Sequence, residues 1–168
     1  MVLVLGLLGC LAARAPQPTE SAVPVATIVT LVNPEAGRAI TPSNTVLETL
    51  QSNFAARGWQ IKPMKTTSDF DQLGTSSRRA EWLVEKAGDD LVVLIETEAR
   101  QRAQLGGRFQ WVVDASITVA VEGGEPIIRE ARFPTTLPHI HQDELDALEA
   151  VAPRIAAQAA LQIERQSK

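Results

Sequence analysis

The chain has 168 residues, 45% hydrophobic, 21% charged and 4% aromatic, with ten Gly, ten Pro and one Cys. That length and apolar content can bury one domain's core without a metal or disulfide staple, and they exclude wholesale disorder, a collagen-like repeat and a disulfide scaffold. Sixteen Lys and Arg against twenty Asp and Glu give a net charge of −4 with no basic run, so nucleic acid is not an expected partner.

Val2 to Gly9 reads VLVLGLLG, apolar throughout, and stops at Cys10. A spanning helix needs about 20 apolar residues, so this run is too short to cross a bilayer and suits the apolar core of an export signal. Its end, Leu7-Leu8-Gly9-Cys10, resembles the lipobox of bacterial lipoproteins. The resemblance implies cleavage between Gly9 and Cys10, and a diacylglycerol and acyl chain on Cys10 as the membrane anchor. No other cofactor is expected. Each buried methylene of such a chain contributes about 0.8 kcal/mol, and two or three chains together hold stably. Leu11 stands where an Asp would favour inner-membrane retention, so the resemblance implies the periplasmic face of the outer membrane. Such signals usually open on a basic segment; none precedes Val2, and the start is expected upstream of Met1. The alternative for this run is a buried strand that ends in Cys.

Residues 1–9 are therefore expected to be signal and 10–24 a lipidated Cys and flexible tether. Leu11 to Pro24 holds three Pro and four Ala with no apolar period. A single periplasmic domain is expected over 25–168. Val25 to Val32 is β-branched and bounded by Pro24 and Asn33-Pro34, which predicts a strand. Thr41-Pro42 is a helix start, Val46, Leu47, Leu50 and Phe54 its apolar stripe, and Gly58 its end. Trp59 to Lys62 is a short strand closed by Pro63, and Thr66 to Thr75 a polar loop. A second helix from Ser76 or Ser77 buries Ala80, Leu83, Val84 and Ala87 and stops at Gly88.

Leu91 to Ile95 is apolar at every position, as a central strand requires. Its continuation places Glu96, Glu98, Arg100 and Arg102 on one face, a solvated charged ladder. Next, Phe109, Trp111, Val113, Ala115, Ile117, Val119 and Val121 fill every odd position of a half-buried strand. A turn at Gly123-Gly124 returns the chain as Ile127 to Phe133, and Pro134 to Pro138 forms a loop. A two-residue turn would oppose Ile117 with Glu130. A three-residue loop, with Gly124 left-handed, opposes Val119 with Ile127, Ala115 with Ala131 and Val113 with Phe133, and is preferred. A long helix from about Gln142 buries Leu145, Leu148, Ala152, Ile155, Ala159 and Ile163, kinked or interrupted at Pro153. The expected order is β-α-β-α-β-β-β-α. This is an α/β (α+β) fold with a mixed five-stranded sheet and helices packed on it, its first crossover right-handed between parallel strands.

Chemistry-bearing motifs are few. There is no phosphate-binding Gly-rich loop, GxSxG elbow, HExxH or EF-hand loop, and Cys10 is the only thiol. His139 and His141, followed by Asp143 and Glu144, offer two metal ligands and a carboxylate third; the simpler account is a polar loop entering a helix. No metal is expected. Glu96, Glu98, Arg100 and Arg102 are the candidate partner face, with the wet side of a sheet as the alternative. Gly106-Gly107-Arg108 fits a tight hairpin better than an anion site. Trp59, Trp82 and Trp111 are expected in the core.

Several segments together resemble the small periplasmic domain shared by envelope lipoproteins. These are the opening strand Ala26–Val32, Ala55-Ala56-Arg57-Gly58 before Trp59-Gln60-Ile61, and Ala87-Gly88-Asp89-Asp90-Leu91-Val92-Val93. The hairpin Glu122–Glu125 and the Ala-rich last helix complete the set. That group includes the curli-export lipoprotein, penicillin-binding-protein activator lipoproteins and the N-terminal domain of the Tol-system propeller protein. The resemblance implies scaffolding without an active site: a membrane-anchored module that binds another envelope protein or complex. The usual Pro-Phe after the opening strand is replaced by Val32-Asn33-Pro34. The alternative function is a periplasmic carrier of a small apolar ligand or lipid; an enzyme would require metal at His139 and His141.

Overall fold

A computed structural model describes residues 25–32, 44–64, 67–87 and 91–166. In chain order its elements are β1 (Val25–Val32), α1 (Asn44–Ala55), β2 (Gln60–Pro63), α2 (Ser68–Asp71), α3 (Ser76–Ala87), β3 (Leu91–Leu105), β4 (Arg108–Val121), β5 (Ile127–Leu137) and α4 (Glu144–Gln166). The class is mixed α/β, as expected. The strands lie in the order β2-β1-β3-β4-β5, with β1 parallel to β2 and β3, and the β3-β4-β5 meander antiparallel.

The order contains one element more than expected. Within the presumed polar loop, Ser68–Asp71 forms the short helix α2, and its Phe70 is fully buried. Phe70 meets Trp82 of α3 edge-on, with ring centroids 5.3 Å apart at 61°.

Helix ends follow local chemistry. Gly58 N–H donates to Ala55 O at 3.0 Å and Trp59 N–H to Phe54 O at 3.1 Å, with Gly58 at φ 81°. That is the paired-bond stop after α1 that a left-handed glycine permits. The predicted start at Thr41-Pro42, the Val46 and Leu47 side chains, and Gly88 lie outside what is described. The last helix begins at Glu144 rather than near Gln142 because Asp143 caps it. Its Oδ1 accepts the N–H groups of Leu145 (2.9 Å) and Asp146 (3.3 Å), and its own N–H donates to Asp146 Oδ2 at 2.8 Å. Asp143→Ala is expected to cost about 1 kcal/mol, read as a lower urea midpoint at unchanged slope. The helix runs on through Pro153, which is exposed, instead of being interrupted there.

β3 is where the two cores meet. Val93, Ile95 and Ala99 face α1 and α4, joining Leu50, Phe54, Val113, Ile117, Leu148 and Ile155. Val92 and Leu94 point the other way, to Phe70 and Leu83 beneath α2 and α3. Trp111 is buried in the first cluster, and Trp59 and Trp82 are half-buried against the first and second respectively.

The β4–β5 register is the one expected: Val119 opposes Ile127, Ile117 Arg129, Ala115 Ala131 and Val113 Phe133. The turn itself differs. Gly123, not Gly124, is left-handed (φ 72°), and Gly124 N–H donates to Val121 O at 3.1 Å. A positive φ at the third turn position is what a type II turn demands. Ile127 shares the face of Val119 but, at the open end of β5, is 41% exposed. β5 also continues through Pro134 to Leu137, where a loop was expected. Pro134 is tolerated because β5 is an outer strand. Pro63 likewise pairs with Ile28 at the other edge instead of ending β2 before it. Gly106 and Gly107, at φ 56° and 76°, form the tight β3–β4 turn, with Leu105 opposite Arg108.

Candidate functional site

Among the described residues, the even-numbered face of the meander is only half covered. Thr75 starts α3, its Oγ1 accepting Arg78 N–H at 3.3 Å and its carbonyl accepting Arg79 N–H at 3.1 Å. The helix therefore begins level with Glu96 and leads back over Val92 and Leu94. Beyond its first turn lies an open recess of about 590 Å³ on β3, β4 and β5. Two rows of residues cross its floor. One is Glu96, Ser116 and Glu130; the other is Glu98, Asp114 and Arg132.

All charge in these rows but that of Glu130 is paired. Arg132 Nε donates to Asp114 Oδ1 at 2.6 Å. Arg100 straddles Glu98 with bonds of 3.1 and 2.8 Å, and its Nη2 lies 3.9 Å from Asp114 Oδ2. Such exposed pairs are each worth under about 1 kcal/mol and can exchange partners at little cost. Glu130 is exposed and has no ion pair among the described residues.

Glu96 corrects the expected ladder. It is 6% exposed, not solvated; Ser76 Oγ donates to one carboxylate oxygen and Arg79 Nη1 to the other. The first turn of α3 presses onto it. Arg102 leaves the ladder for another reason: it is the extra residue of a bulge between Gln101, opposite Trp111, and Ala103, opposite Gln110. Of the four predicted face residues, the structure thus brings Glu98 and Arg100 together beside the buried Glu96, with Arg102 outside the recess lining. Sequence reasoning missed Asp114, Glu130 and Arg132. Part of the signal was available, because the preferred β4–β5 register aligns Asp114 with Arg132 and Ser116 with Glu130; the β3–β4 register, which the sequence left open, puts them on the face of Glu98.

His139 and His141 are exposed and stack on one another, with centroids 5.4 Å apart and 8° between planes. Asp143, their nearest carboxylate in sequence, is committed to the α4 cap. Among the described residues no group of three His, Cys, Asp or Glu is placed to hold a metal. Neither histidine lines the recess. Gly9, Cys10 and the 10–24 segment lie outside the described residues. No described helix is long and apolar enough to cross a membrane.

No protein-family model matches the chain, and no characterised protein matches it by sequence. Some solved structures resemble it loosely. Lipoprotein GNA1162 from Neisseria meningitidis is 17% identical, over 82% of this chain and 98% of that one, with a TM-score of 0.44. A minor lipoprotein from Acinetobacter baumannii is 11% identical over 86% and 93%, at 0.48. Rare lipoprotein B from Shewanella oneidensis is 6% identical over 84% and 96%, at 0.42. The chain is thus similar, in the loose ordering of its helices and strands, to several bacterial lipoproteins, and neither site residues nor function transfer with that similarity.

Proposed function

We propose that the protein is a non-enzymatic envelope lipoprotein, anchored through acyl chains on Cys10 at the periplasmic face of the outer membrane. Its domain binds another envelope protein or assembly through the open face of the meander. The observation that carries this reading is the asymmetry of the sheet. One face is covered by α1 and α4, while among the described residues the other is uncovered beyond α3 and carries exchangeable charges on paired strands. The same observation weighs against the carrier of an apolar ligand, since the recess is open and charge-lined and both apolar clusters are filled by side chains.

The test has two arms. Expressed with a complete signal, the protein is expected to incorporate labelled palmitate and sediment with membranes; equal labelling of Cys10→Ser would sink the anchor. A photo-crosslinking residue at Thr136, on the open face, is expected to give a discrete adduct with another envelope protein in intact cells. One at Ala150, exposed on α4, is expected to give none. The same adduct from both positions would refute the face.

A further inference from the structure

Beyond anchoring and partner binding, we infer that β5 is the seat of a two-fold self-association, in which a second copy of this chain extends the sheet antiparallel to it. The two edges of the sheet are unlike. β2 offers four residues ending in Pro63, whereas β5 offers eleven, Ile127–Leu137, and no other described strand pairs with its outer side. Its backbone direction can be read from Pro134. That residue has no N–H, and its carbonyl accepts Arg154 Nη2 at 2.6 Å. Position 134 therefore turns its polar backbone away from β4. These directions alternate along a strand, so Ile128, Glu130 and Arg132 also present N–H and C=O outward.

Side chains then select the register. With the axis at Ala131, the small Ala131 residues meet, and Glu130 opposes Arg132 of the partner subunit on both sides of the axis. Ile128, which is 39% exposed, falls opposite Pro134 of the partner subunit, apolar on apolar. Pro134, with no N–H and its carbonyl on Arg154, adds no backbone bond there, so the ladder rests on Glu130 and Arg132. Arg129 falls opposite the partner's Phe133, which already carries its own Arg154 at 5.6 Å, and that pair gains nothing. Moving the axis one position either way sets Glu130 against Glu130 or gives the same clash for Arg132, and directly opposed like charges destabilise a strand pair. The preferred register also supplies the cation that Glu130 lacks within the described chain. It prolongs the row Glu98, Asp114, Arg132 into Glu130 of the partner subunit. Each copy thereby contributes a charge to the other's recess, and two recesses become one continuous face.

Sedimentation equilibrium of the full chain in density-matched detergent tests this without any envelope partner, so its failure leaves the proposed function standing. The native protein is expected to dimerise. Glu130→Arg and Arg132→Glu are each expected to raise the dimer dissociation constant about tenfold or more, since each creates two like-charge oppositions. An equimolar mixture of the two variants is expected to regain a heterodimer, because every opposition is again acid to base. A native protein that stays monomeric, a dimer indifferent to Glu130→Arg, or a mixture no tighter than its components would overturn the inference.

Discussion

Glu96→Ala is expected to lower the free energy of unfolding by about 3 kcal/mol, far more than loss of any other recess charge. The reason is what remains behind. The Arg79 side chain is only 18% exposed, its Nε already lacks a partner, and its Nη1 bonds Glu96. Removing the carboxylate strands a guanidinium in a poorly hydrated site and frees Ser76 at the first turn of α3. Glu96→Gln, which retains an acceptor oxygen, is expected to lose less. Replacing both partners, as Arg79→Met with Glu96→Leu, is expected to cost less than Glu96→Ala alone, because no buried charge is left unpaired. Urea unfolding checks all three; a loss for Glu96→Ala under about 0.5 kcal/mol would show a solvated pair of the ordinary surface kind.

The second large effect is expected at Phe70→Ala, a loss of about 3–5 kcal/mol. Phe70 is the largest fully buried side chain of the smaller core, which it shares with Leu83, Val92 and Leu94. That cluster has few members to collapse into the void, so relaxation recovers little. Because the Phe70 ring lies edge-on to Trp82, the indole should gain water contact and its emission should move to longer wavelength in the folded variant. A loss under about 1 kcal/mol with unchanged emission would mean that α2 does not hold the second core together.

Those two residues also mark where sequence pattern stops being informative. The β4–β5 register was legible because a one-residue slip would have buried charge, so alternation alone left one acceptable pairing. Leu91 to Ile95 was legible as a strand buried on both faces for a similar reason. Phe70 was not legible: α2 has four residues and one apolar position, too few to show any period. The burial of Glu96 was not legible either, since it depends on where the first turn of α3 lands, a tertiary fact about Ser76 and Arg79. The charged face was half legible. Glu98 and Arg100 were found on their own strand, and Asp114 and Arg132 were overlooked because they belong to the neighbours that the register brings beside it. The left-handed turn glycine was misplaced by one position, since Gly123 and Gly124 are chemically identical and the turn type decides between them.

The placement of β1 bears on how the chain reaches this state. β3, β4 and β5 follow one another through short turns, so their pairing closes small loops and can begin as soon as these strands are present. β1 lies inside the sheet, between β2 and β3, and its contacts with β3 span everything from α1 to α3. Such sequence-distant parallel pairing is slow, because the loop must be ordered before its contacts repay the lost entropy. A chain that emerges N-terminus first thus presents early the strand it can seat only late. Until α1, β2 and α3 have formed, the inner edge of β3 stands open beside Val92 and Leu94, and that is the interval in which the nascent domain is most exposed to mispairing.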